Sequence, residues 1–438
     1  MKVILRLAIF LALPASGLAD PQLSSWFTLH SDATARLYRT DAARLAGDSV
    51  TTWSNGHQTQ AQPARTGIQQ ILFSTNWIYI RSTGLPSQIM GPWYNDPQHI
   101  RPFPNLPTDQ NFLLCLPRHP EVETEPEFQH LGDIGLTVDG VPIFDATDSF
   151  SYSHAAGRDA DPRAGIGRGD GIWERNALVN EGQTFDPGLG HQENWGRYHY
   201  HTQAIALRYE LGDHVDFDPA AKTYHEGSGE PTRHSPILGW LHDGYPVYGP
   251  YAYANPTNPA SGLRRMITGF TLRNGQNGAD DLAQTGRRTL PAWSARETGA
   301  ATTLPADETG PAVSTRYPLG HFLQDYAYRG DLGQTLGRDF DLDESNGRWC
   351  VTPEFPQGTY AYFTTIDAAG QPVYPYVMGK RYHGRPYGRV IRNIRERVVP
   401  YFTSAAAATA NSSPASPAPA STTLMWQPGT DATYQPAR

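Results

Sequence analysis

The strongest constraint on this chain is that it repeats itself. Ile134 to Phe144 reads IGLTVDGVPIF, and Leu238 to Tyr248 reads LGWLHDGYPVY. The two align without a gap: Gly135 with Gly239, Asp139-Gly140 with Asp243-Gly244, Pro142 with Pro246, Phe144 with Tyr248. Asp-Gly between apolar runs is a hairpin signal, and proline two residues later suits an edge strand or a bulge. The correspondence continues in order. FDPGLGH (Phe185 to His191) matches LDESNGR (Leu342 to Arg348), and GRYHYH (Gly196 to His201) matches GTYAYF (Gly358 to Phe363). Three blocks in one order point to a duplicated unit, with halves at about 130–235 and 236–390 and an insertion over roughly 253–330. Coincidence among common turn sequences is the alternative.

Composition supports a β-rich reading. The chain has 23 Tyr, 10 Trp, 42 Gly and 37 Pro, and little Lys, which favours strands, tight turns and long ordered loops over helices. Ile71 to Ile80, Leu136 to Phe144 and Thr359 to Thr365 read as strands, while Thr202 to Leu211 fits a short helix or a strand extension. The expected fold is mainly β, one domain of two degenerate repeats with long loops, over residues 20–402. From 403 to 438 an Ala/Ser/Pro/Thr run offers too little to bury and is expected to be a disordered tail.

The first residues, MKVILRLAIFLALPASGLAD, carry Lys2 and Arg6, a short apolar run, and small residues at Gly17 and Ala19. They read as a signal peptide over 1–19, cleaved after Ala19. The run is shorter than the about 20 residues that span a bilayer, and no later segment is apolar enough. The expected location is therefore secreted or periplasmic. A net charge of −8 gives no basic face for nucleic acid. Cys115 and Cys350 are the only cysteines. An oxidising compartment favours their pairing, with two buried thiols as the alternative. Two thiols cannot make an all-thiolate zinc site, so a metal here would use His and carboxylate.

Tyr198-His199-Tyr200-His201 alternates two residue types. On a strand His199 and His201 share one face, about 7 Å apart at Cα, and can converge on one cation. His191, after Gly190, supplies a third imidazole, and Asp186 is a candidate fourth ligand or an orienter of an imidazole. In the second copy these histidines become Arg348, Ala361 and Phe363 while the tyrosines and glycines stay. Three residues absent together suit one shared task. The competing view is an edge strand with solvated histidines. Nitrogen ligation suits zinc or copper and disfavours calcium and magnesium. The acidic run Asp339 to Gly347 lacks the glycine and glutamate of an EF-hand loop and reads as a turn. His234, His242, Asp243 and Arg348 read as framework or cleft residues, and Ser235 has no nucleophile-elbow context.

Three segments carry a family resemblance: GHQENWGRYHYH (Gly190 to His201), HSPILGWLHDGYPVYGPY (His234 to Tyr251) and LDESNGRWCVTPEFPQGTYAYF (Leu342 to Phe363). Together with IGLTVDGVPIFD (Ile134 to Asp145), they resemble the YHYH family of exported proteins over about residues 70 to 390. The resemblance implies that Asp186, His191, His199 and His201 sit in the signature region. It says little about activity. Many family members carry a cysteine near Glu344-Ser345, where this chain has Ser345, which undercuts any family disulfide there. The expectation is an exported metal-binding protein with a His-rich site that holds zinc or copper and acts as a metal-dependent hydrolase. The alternative is a non-catalytic extracellular module that binds carbohydrate or protein. Substrate and reaction stay open.

Overall fold

The computed structural model describes residues 20–124 and 132–412. The expected signal peptide and most of the expected tail lie outside them. An eight-stranded sheet organises the chain. Its strands are β1 (Asp133–Thr137), β2 (Pro142–Phe144), β3 (Gly190–Gln192), β4 (Tyr198–Tyr200), β5 (Ile237–Leu241), β6 (Pro246–Tyr248), β7 (Gly347–Cys350) and β8 (Thr359–Phe363). Their order across the sheet is β3-β4-β2-β1-β5-β6-β8-β7. The fold is mainly β, as the sequence suggests.

The order reads the same from either edge when β1–β4 are exchanged for β5–β8. Each half holds two antiparallel hairpins joined by one parallel pairing, β4 with β2 and β8 with β6. At the centre β1 and β5 run antiparallel, with Leu136 opposite Trp240, Gly135 opposite Leu241 and Thr137 opposite Gly239. The segments aligned in the sequence thus occupy equivalent strands. Gly135 and Gly239 have the same purpose: a Cβ would lie 2.4 Å from Trp240 O at the first and 2.6 Å from Leu136 O at the second. Only glycine lets the two central strands come this close. The Asp-Gly turns close as hairpins, with φ of +88° at Gly140 and +84° at Gly244.

A second, five-stranded antiparallel sheet runs in the order Arg389–Ile391, Phe112–Pro117, Trp77–Ser82, Ile68–Phe73, Val399–Thr403. The run Ile71 to Ile80 is therefore a hairpin rather than one strand. Ile68, Ile71, Ile80 and Leu114 of this sheet share a core with Leu136, Tyr198, Tyr200 and Trp240 of the large sheet. The opposite face of the large sheet is covered by Tyr374, Tyr376 and Tyr382, and by Phe270, Trp293 and Leu323 of the insertion. Burial on both faces makes the large sheet the rigid platform on which any site is held.

Two expectations are corrected. Cys115 and Cys350 do not pair; they are buried free thiols in different sheets, and burial pushes both thiol pKa values up. Cys115 belongs to an apolar cluster with Tyr79 and Leu113, and Cys350 to the main core. The C-terminal segment is ordered beyond 402: Val399–Thr403 pairs with Ile68–Phe73, and Ala405–Ser412 is helical. Its alanines supply helix propensity and Ser404 caps the first turn by accepting from Ala407 N. Thr202 to Leu211 contains the helix Ile205–Glu210. No helix among the described residues is long and apolar enough to cross a membrane.

Candidate metal centre

β3 and β4 form a hairpin at one edge of the large sheet, with His191 directly opposite His199. His201 follows two residues on, so all three imidazoles leave the same face. They are 2–3 % exposed. One ligating atom from each lies within 4.8 Å of the others. Tyr198 and Tyr200 point the other way into the shared core, as the alternation requires.

The hydrogen bonds fix which nitrogen faces the centre. His199 Nδ1 lies 2.9 Å from Arg197 O, and His201 Nδ1 lies 2.6 Å from Asp145 O. A carbonyl only accepts, so each Nδ1 carries the proton. His191 Nδ1 lies 2.7 Å from Thr184 Oγ1, and that hydroxyl donates to Glu181 O at 2.7 Å. Its one proton is spent there, so His191 Nδ1 also donates. All three neutral rings then aim an Nε2 lone pair inward. The Nε2 atoms of His199 and His201 are 3.1 Å apart, and that of His191 has no hydrogen-bond partner. Burial holds the imidazoles neutral. The His191 and His199 pKa values lie well below the usual range, and that of His201 falls to about 4, in each case through desolvation first.

Aromatic rings wall the centre. Phe144 stacks on His199 at 3.9 Å between centroids, Phe185 packs edge-on against His191 at 4.7 Å, and Phe103 lies 6.0 Å from His191. These rings pack against the imidazoles and bury them. Glu181, at the end of the helix Ala177–Glu181, puts Oε2 at 3.7 Å from His191 Nε2 and 3.6 Å from His201 Nε2. Behind Asp145 the buried Lys380 ammonium lies 3.1 Å from Glu174, 3.8 Å from Asp145 and 4.0 Å from Glu297. The surroundings carry more carboxylates than cations.

Asp186 is not brought to the imidazoles. Tyr198 Oη donates to its two oxygens at 3.1 and 3.0 Å, and Gly91 N, Gly188 N and Gly190 N donate as well. Nor does it orient a ring, since every Nδ1 has another partner. Its neighbour Phe185 takes the site-facing direction instead. Asp343 repeats this role in the second half, accepting from Tyr360 Oη, Ser345 N and Gly347 N. The acidic run after Asp339 is spent likewise: Asp341 holds Arg264 and Asp339 holds Arg338. Arg348, opposite Ala361 in β8, lies over the Phe363 ring and donates to Tyr253 O at 2.7 Å. The second half has filled its equivalent space with packing. Asp243 accepts from Tyr362 Oη and Gly384 N, and His242 lies 3.2 Å from Asp133, so both are framework.

The sequence carries no signal for Glu181 and Thr184. They lie in ALVNEGQT, which has no ligand spacing relative to His191. No curated protein and no solved structure matches the chain. A family model described as "YHYH protein" matches residues 114–375, a span that contains all eight strands of the large sheet, among them the hairpin that holds His191, His199 and His201. With more than half of the sequence matched, the chain belongs to the YHYH protein family.

Proposed function

We propose that this is a metal-binding protein whose centre is built from His191, His199 and His201. One observation carries the reading: three buried neutral imidazoles, each with Nδ1 committed as a donor, gather so that one ligating atom from each lies within 4.8 Å of the others. Two such lone pairs 3.1 Å apart repel one another unless a cation lies between them. Around a tetrahedral ion with bonds of about 2.0–2.1 Å, neighbouring donors sit about 3.3 Å apart, close to this spacing. Neutral imidazole selects zinc or copper from the available divalent ions. The Nδ1 hydrogen bonds to carbonyls and a hydroxyl are the usual outer support of metal-bound histidine.

Zinc with an open position would supply Lewis acidity and activate water near neutral pH. Hydrolysis on that basis is the catalytic version of the proposal. A metal-binding module without turnover is the other version, and the carboxylate already beside the centre favours it. The N-terminal segment, read as a secretion signal, would place the loading of the site outside the cytoplasm.

Elemental analysis of the purified protein beside a His199→Ala/His201→Ala variant tests the proposal. Stoichiometric zinc or copper in the parent, lost from a variant that keeps its circular dichroism spectrum, is the expected result. A parent that takes up neither metal on incubation would sink it.

A further inference from the structure

Resting on the metal-binding reading above, we infer that Glu181 is the fourth donor of this centre and closes it on the solvent side. Its Oε2 lies 3.7 and 3.6 Å from two imidazole Nε2 atoms, while His199 and His201 Nε2 are 3.1 Å apart. These three edges bracket the about 3.3 Å expected of a tetrahedral donor set. Hydrogen bonding does not explain the placement. A charge-assisted bond would be about 2.7–2.9 Å long, and neither Nε2 has a proton to give, because Nδ1 holds it in both rings. A carboxylate facing two neutral lone pairs gains nothing from them, and a shared cation would stabilise it there.

Exposure gives a second, independent indication. The Glu181 side chain is 29 % exposed, against 4 % for His191 and 3 % for His201. Of these donors it is the one that reaches solvent. The main chain ties it to the histidines: Thr184 Oγ1 donates to Glu181 O and accepts from His191 Nδ1. One hydroxyl therefore sets the imidazole and the carboxylate-bearing helix end together. The donor set becomes three neutral nitrogens and one anionic oxygen, which suits a divalent ion over soft Cu(I). Entry of an external anion, or exchange of the ion, requires Glu181 to swing out.

Cobalt(II) loading of the mature protein tests this, with visible absorption as the readout and azide and acetate as probes. Parent, Glu181→Ala and the isosteric Glu181→Gln are compared after circular dichroism confirms folding. In Glu181→Ala the cobalt bands should shift from those of the parent. Azide should perturb them at concentrations that leave the parent unchanged, and acetate should move them back towards the parent spectrum. Should Glu181→Ala not fold, Glu181→Gln should show the same shift and the same azide sensitivity. A folded variant with the parent's bands and the parent's azide response would overturn Glu181 as a donor while leaving the three histidines in place. A parent that takes up neither cobalt nor zinc would instead remove the histidine reading, and this inference with it.

Discussion

The Thr184 hydroxyl shows how closely the centre is built at the residue scale. It accepts the His191 Nδ1 proton and donates its own to Glu181 O, so it fixes both tautomer and position. Thr184→Val removes the hydroxyl at nearly the same volume. It should weaken metal affinity by about 10- to 100-fold, read by competition with a chelator, while Thr184→Ser stays near the parent. Equal affinity of Val and Ser variants would show that the relay does not matter. A second residue reports through pH. Asp139 is buried, and desolvation raises its pKa to about 7. The fold thus favours its protonated form. Its contribution to stability is complete below the ordinary carboxylate pKa of about 3.9 and is lost as pH rises through 7. Asp139→Asn, which never ionises, should gain on the parent between pH 5 and 8, by on the order of 1–3 kcal/mol. Denaturant titrations at the two pH values check this, and a pH-independent difference would refute it. The paired histidines were legible in the sequence because strand alternation is a strict rule. Asp186 bonds Tyr198 and the turn amides instead, because a one-residue change in direction exchanges it with Phe185, and the turn that sets this direction follows no sequence period. Glu181 and Thr184 reach the site only through that turn.

At the scale of elements, the β3–β4 and β7–β8 hairpins are the same device. In each, a glycine lies against a tyrosine whose hydroxyl binds the preceding aspartate. A Cβ on Gly190 would come within 2.2 Å of Tyr198 Oη, and one on Gly347 within 2.4 Å of Tyr360. Both tyrosines are fully buried and cannot yield cheaply. Gly347→Ala should therefore destabilise the fold by about 1–3 kcal/mol and leave metal affinity unchanged, since β7 and β8 carry no ligand. Gly190→Ala should lower both. Thermal melts and metal titration of the two variants separate these effects; equal loss of metal in both would contradict the division of labour. The Asp-Gly hairpins were readable because turn chemistry is local. The outer strands Arg389–Ile391 and Val399–Thr403 were not, because each gains its partner from a segment hundreds of residues earlier.

At the scale of the whole molecule, one sheet with two-fold order supports two different ends. One end holds converging imidazoles under aromatic walls, and the other holds Arg348 over Phe363. A bound ion should stabilise the native state by mass action, by about 2.7 kcal/mol at a free concentration 100 times its Kd. Stripping the ion with a chelator should lower Tm, and adding it back should restore it; the His199→Ala/His201→Ala variant should show neither response. A chelator effect that persists in that variant would place the ion elsewhere. The repeated blocks made the central sheet legible, but the insertion covering one face was not, since its Phe270, Trp293 and Leu323 follow no pattern tied to the strands they cover. The most direct test is anomalous diffraction at the zinc or copper edge from crystals of the protein loaded with that metal. The expected result is a single strong peak about 2.0–2.2 Å from Nε2 of His191, His199 and His201. A loaded crystal with no peak there, or with its peak at another site, would contradict the metal centre.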